Sequence, residues 1–306
     1  MATTQNTYTR ALVVLLTALA ALAFSGTARS YGWPVKPFHQ QHPVRGLFGD
    51  PRVGEGGRCQ FHFGVDVSAP NGTPVYATIS GRVSLLHNDV VEITGTAGVE
   101  FSYWHIIPTV RPGAYAVAYR TMIGRIEKPW AHVHFSEAHY GRYVNPLRPG
   151  AMGPYADHQA PVVRAVEAES DGSPVPLAAA TRTIDLVAAT SDRPPLLVPA
   201  PWSGLPVMPA LLRSRIVGPH GPLTRWQTAV DFRATIPGAG FFGSVFAKWT
   251  RQNHAHRPGR YRIYLMHGLQ TDALRDGAYH VEVLASDIRG NTSRFVAELN
   301  VANHPR

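Results

Sequence analysis

Residues 58–77 read RCQFHFGVDVSAPNGTPVYA, and inside them His62 and Asp66 stand four apart in the spelling His-Phe-Gly-Val-Asp. The run alternates and then meets the turn signal Pro-Asn-Gly-Thr-Pro, the pattern of a short strand closed by a turn. On a strand, residues i and i+4 share a face. Each residue advances about 3.3 Å, so the two side chains stand about 13 Å apart if the backbone is straight. Both reach one metal only if the chain bends between them. Gly64 sits at the midpoint, where a bend or bulge is easiest. A pair does not close a catalytic zinc shell, which takes three protein ligands and leaves a fourth position for water.

Two other places supply candidates. His132-Val-His134 puts two rings on one face of a strand, about 6–7 Å apart, so that one can bind a metal while the other stands over a substrate. His105, in SYWHII, lies late in an apolar strand. None is decisive singly. With 15 histidines in 306 residues, roughly one His-x-His is expected by chance. His254-Ala-His256, among Gln, Asn, Arg and Pro, is a recurrence that reads as a loop. The weight lies in the joint occurrence of the three motifs, in order, within one short β-rich segment.

That order, His-x-Gly-x-Asp, then Tyr-x-His-hydrophobic, then His-x-His-Phe, resembles the lysostaphin-like (LytM-type, M23) zinc metallopeptidases of bacterial cell walls. FGDPR, from Phe48, is similar to the upstream Phe-Gly-x-Arg element of those enzymes. The resemblance covers about residues 43–136. It implies that His62, Asp66 and His134 are ligands of a Zn2+ ion and that His105 and His132 are catalytic. It implies an endopeptidase that hydrolyses peptide cross-links of peptidoglycan through a zinc-activated water. In one respect the chain departs from the pattern: only RIEKPWA stands between Gly124 and His132, where those enzymes have a longer glycine-rich loop bounding the cleft. Trp104 and Trp130 flank the histidines and either line the cleft or pack the core. Glu127 and Glu137 read as a solvated face.

The length predicts two domains. Abundant Gly and Pro, short apolar runs and the lack of sustained helical spacing predict an all-β chain. Residues 31–150 are expected to form a compact antiparallel β domain with the candidate site. Residues 151–306 are expected to form an accessory β-sandwich of immunoglobulin or fibronectin type, for which DGAYHVEVLASDIRGNTS is the best signal. Within it, Ala165–Thr183 reads as a loop or short helix, and VDFRATI as a strand. Trp202, Trp226 and Trp249 read as sandwich core or as platforms for sugar rings. The lead-in, residues 31–50, is extended; as a pro-segment it would cap the metal through His39 or His42.

Arg10, the apolar run Ala11–Phe24 and the small residues of SGTARS form a signal-peptide pattern, residues 1–30, with an uncleaved anchor as the other reading. The expected location is secreted or cell envelope, with no stable membrane insertion after cleavage. The lone Cys59 excludes an internal disulfide framework and reads as a half-buried thiol. The net charge of +9 suits an anionic partner such as an acidic wall polymer. The arginines are scattered with no dense basic block, so nucleic acid is not the expected partner. A monomer is the default. Two other functions compete: a catalytically silent wall-binding regulator of another hydrolase, against which all five site residues stand, and a zinc peptidase acting on secreted proteins.

Overall fold

The strand His132–His139 is buried along its length, only His139 being partly open. Val133 and Phe135 point to one face, fully buried; His132, His134 and Ser136 point to the other, as the two-residue period of a strand requires. The computed structural model describes residues 30–54 and 59–304 and places this strand inside an eight-stranded antiparallel sheet. Val65–Ser68 pairs with it on one side and Val99–Trp104 on the other. Beyond these lie Val44–Gly46 at one end and Val90–Thr94, Gly81–His87 and Tyr115–Ala116 toward the other. Val65, Val67, Phe101 and Tyr103 share the core with Val133 and Phe135. β-branched and aromatic residues at alternate positions are what a half-buried pleated surface selects. A three-stranded sheet of Pro74–Tyr76, Met122–Ile126 and Ile106–Pro108 adds Val75, Ile106 and Ile123 to that core.

The all-β expectation holds. Residues 162–301 build two further antiparallel sheets. One contains Ser173–Val175, Val162–Ser170, Thr183–Ser191 and Tyr261–Gln270; the other contains Gly221–Pro222, Leu211–Gly218, Gly277–Ser286 and Thr292–Val301, with Gln227–Asp231 also on Leu211–Gly218. Ala165–Thr183 departs from its reading. Val162–Ser170 is a nine-residue strand, and only Leu177–Ala179 forms a helical turn. Alanine and glutamate are weak strand formers, but pairing with Thr183–Ser191 buries Val163, Val166 and Ala168, and that burial outweighs propensity. VDFRATI is strand only as far as Asp231.

Several other readings are corrected. The lead-in is part of the fold: Tyr31, Trp33 and Val35 are buried, and the Trp33 indole donates to Pro154 O at 3.0 Å. His39 lies beside Tyr119, and His42 donates to Pro37 O, so neither caps the metal site. Glu137 is not on a solvated face. It is 2% exposed and accepts from Arg148 through both oxygens, at 2.6 and 2.7 Å, and from Tyr31 Oη. Trp202, Trp226 and Trp249 are outside the buried core; each lies against an arginine, Arg45, Arg215 and Arg262 respectively.

The two groups of sheets share an apolar seam. Phe61 meets Phe232, Phe242 and Phe246 at centroid distances of 5.5–5.7 Å. Asn145 donates from its side chain to Phe232 O and from its backbone to Ala234 O. Among the described residues, no helix is long and apolar enough to cross a membrane. The apolar run 11–24 and the expected signal peptide lie outside those residues.

Candidate metal centre

Strand register assembles the site. His134 stands opposite Asp66 on one neighbouring strand and Trp104 on the other, and all three point away from the core. His62 is not on the strand that carries Asp66. Strand Cys59–Phe61 ends before it, the chain bends at Gly64, and strand Val65–Ser68 begins after. The expected bend is present, and it needs glycine for space. A Cβ at Gly64 would lie 2.3 Å from Phe135 O and 2.7 Å from Ser136 Oγ.

Three ligand atoms then converge. His62 Nε2 is 2.6 Å from His134 Nδ1, and each lies 3.1 Å from Asp66 Oδ1. Their far sides are tied down. His62 Nδ1 donates to Leu47 O at 2.8 Å, and a carbonyl can only accept, so Nε2 presents a lone pair. His134 Nε2 meets Ser136 Oγ at 2.9 Å. With its hydrogen placed there, His134 Nδ1 also presents a lone pair. Arg52 donates to Asp66 Oδ2 at 2.7 Å. Two imidazole nitrogens and a carboxylate oxygen thus face one point, each oriented from behind, as in a metal shell supported by its surroundings. The donor set fits a divalent cation of zinc type.

The electrostatics agree. Burial, reinforced by Arg52, lowers the His62 pKa; burial, reinforced by His62, lowers that of His134 to about 3. Both rings are therefore neutral, the form that binds metal. Burial works against the Asp66 carboxylate, but its neighbours His62, His132 and Arg52, of which Arg52 keeps its charge when the rings are neutral, outweigh it and hold Asp66 well below the usual range.

The other two histidines stand beside the triad. His132 Nε2 is 3.4 Å from Asp66 Oδ1, and its Nδ1 lies 2.8 Å from Trp130 O and 2.7 Å from Arg45 Nη2. His105 interrupts the chain between Val99–Trp104 and Ile106–Pro108 with φ +65°, a costly left-handed conformation for a residue with a Cβ. That kink brings its ring to 4.9 Å from His132, with Trp130 stacked on it at 4.1 Å. Burial, with His132 and His134 nearby, lowers the His105 pKa to about 4. Its Nδ1 is buried without a hydrogen-bond partner among the described residues. The five residues open onto a cleft of about 830 Å³, and Trp104 and Trp130 line it, which settles their reading against the core.

Sequence reasoning missed Arg45, Asp50, Gln252 and Asn253, which line this cleft, and it placed Trp202 and His254, which also line it, in the second half of the chain without linking them to the site. FGDPR pointed toward Arg52. Nothing in the spelling marked Arg45 or joined it to Trp202; the two meet only in three dimensions.

Residues 60–146 match the model of Peptidase family M23, so the recognition drawn from the three motifs holds for that segment. No curated protein matches the chain. Among solved structures, a zinc containing peptidase from Vibrio cholerae is 23% identical, with 38% of this chain and 39% of that chain covered and a TM-score of 0.33. A mutant catalytic domain of the prophage-encoded M23 protein EnpA from Enterococcus faecalis is 24% identical, covering 42% of this chain and 100% of that one at 0.31. The SpoIIQ–SpoIIIAH pore forming complex matches at 21% identity, covering 39% and 90% at 0.32. Each covers about two fifths of this chain, and at these scores none carries an activity over to it.

Proposed function

We propose that this chain, with residues 60–146 matching peptidase family M23, is an exported zinc-dependent endopeptidase that cuts peptide cross-links of peptidoglycan. One observation carries the reading. Three acceptor atoms, His62 Nε2, His134 Nδ1 and Asp66 Oδ1, converge within 3.1 Å of one another beside two further imidazoles in an open cleft.

His62, Asp66 and His134 are the residues that would hold zinc, which would supply Lewis-acid activation of a water and of the scissile carbonyl. The chain does the rest. Leu47 O and Ser136 Oγ fix which nitrogens face inward, and Arg52 keeps Asp66 an anion. His132 and His105 stand on the cleft side of the triad. They take the proton released by the attacking water, stabilise the oxyanion and return a proton to the departing amine. Trp130, flat against His105, keeps that ring over the cleft. We read residues 31–150 as the peptidase domain and residues 151–306 as an accessory β-sandwich, with residues 1–30 as an export signal. The formal charge of +9 suits a wall polymer bearing carboxylates.

Zymography on purified peptidoglycan tests the reading. Zinc-loaded wild type should clear the substrate, and His134→Ala and a chelated sample should not. Clearing that survives both treatments, or its absence in zinc-loaded wild type, sinks the proposal.

A further inference from the structure

The second group of sheets reaches into the cleft. Trp202 and the run Gln252–His254 line it together with the metal-site residues. That run is fixed in place. The Gln252 side chain accepts from Val53 N at 2.9 Å, and Asn253 donates to Pro206 O and accepts from Gly259 N. Trp202 covers one face of Arg45, whose guanidinium carbon is 4.0 Å from the ring centre. Nη2 of Arg45 lies 2.7 Å from His132 Nδ1. One imidazole ring therefore separates this guanidinium from Asp66.

Arg45 differs from the other arginines of this region. Arg52 is paired with Asp66, and Arg148 with Glu137. Among the described residues, no carboxylate forms an ion pair with Arg45, and the His132 contact is its one hydrogen bond. A guanidinium has five N–H donors in a rigid plane, matched to the two oxygens of a carboxylate. Burial has already stripped much of its water, lowering its pKa to about 10. A partly desolvated cation, held flat by an indole and with its edge on the cleft, is built for an anionic group.

We propose that Arg45, braced by Trp202 from the second half of the chain, is a carboxylate subsite that binds a free carboxylate on the residue flanking the scissile amide. The subsite rests on the peptidase reading for its role in turnover. It makes the second half of the chain part of substrate selection.

The test uses the full chain and a pair of synthetic cross-link peptides that differ only by carboxylate or carboxamide on the residue flanking the cleaved bond. Both are measured by turnover of the zinc-loaded protein and by titration calorimetry of the zinc-free protein. A charge-assisted bidentate contact predicts that wild type prefers the acid by about 10- to 100-fold in kcat/KM and in Kd. Arg45→Gln should treat the two peptides alike, and Trp202→Ala should lose at least about threefold of the preference. Equal handling of both peptides by wild type, or a preference that persists in Arg45→Gln, overturns the subsite. So does a failure of both peptides to bind. If Arg45→Gln does not fold, Trp202→Ala decides, and an undiminished preference overturns the proposal. Arg45-dependent preference in binding without any turnover leaves the subsite standing and removes the peptidase reading instead.

Discussion

Arg52 donates to Asp66 Oδ2 across 2.7 Å, on the side of the carboxylate turned away from the Oδ1 that faces His62 and His134. The anion is thus held and aimed by a cation that is itself no ligand. Gly46 makes room for the pair, since a Cβ there would lie 2.4 Å from Asp66 Oδ2 and 2.7 Å from Arg52 Nη2.

Arg52→Gln should therefore weaken zinc binding without removing a ligand. Loss of an orienting partner behind a ligand costs about 10- to 100-fold in metal affinity. Competition with a chromophoric chelator measures it. An unchanged affinity would show that Asp66 is oriented by the strand register alone.

Gly64→Ala tests the close approach at the bend. The new methyl group meets Phe135 O, a backbone atom of the central strand, so it cannot be relieved by a rotamer change. Overpacking of this kind costs about 1–3 kcal/mol, and the upper end is expected. Denaturant unfolding reads the cost, and zinc affinity should fall with it because His62 is displaced from His134. Wild-type stability in the variant would refute the packing account.

The cluster of His62, Asp66 and His134, with His105 and His132 beside it, was legible in the sequence because three short motifs in order resemble those of M23 peptidases and single out these residues, while strand periodicity and Gly64 show how they can converge. What was hidden depends on long-range pairing. His62 proved to lie between two strands, beyond the end of Cys59–Phe61, while Asp66 lies on the next, since the bend separates the elements that a straight reading joins. Glu137 looked solvated because its partners Tyr31 and Arg148 are 106 and 11 residues away. Ala165–Ser170, the first part of the stretch read as loop or short helix, looked non-extended because alanine and glutamate carry little strand signal before Thr183–Ser191 pairs with them. Arg45 and Trp202 become one unit only when the two groups of sheets meet.

Glu137→Gln should be strongly destabilising. The carboxylate is buried and the Arg148 guanidinium it pairs with is mostly shielded from solvent, so neutralising the carboxylate leaves that cation without its charged partner in a low-dielectric site. Breaking a buried pair from one side costs about 3–5 kcal/mol. Chemical denaturation should show a loss of that order. A change below about 0.5 kcal/mol, the range of ordinary surface substitutions, would contradict the buried network.

Asp192 gives a pH prediction away from the metal site. It is buried beside Asp157 and Asp287, and burial, followed by those two carboxylates, raises its pKa from 3.8 to about 7. A carboxyl whose pKa is raised by folding binds its proton more tightly in the folded chain. Its contribution to stability is fully present below pH 3.8 and is lost as pH rises through about 7. His62 and His134, with lowered values, act oppositely and lose stability as pH falls below 6.5. The total profile of the wild type therefore mixes the two, and a comparison with Asp192→Asn isolates the carboxyl. Asparagine keeps an acceptor for the Arg193 N–H, which now bonds Asp192 Oδ1 at 2.7 Å. At pH 8 the variant should be more stable than wild type, by on the order of 1–3 kcal/mol. That advantage should shrink steadily as pH is lowered from about 7 toward 4, because wild type then gains the proton that folding favours. Thermal unfolding of both proteins across this range measures it. A difference independent of pH, or a variant less stable at pH 8, would show that the three carboxylates do not share a buried, mutually repelling site.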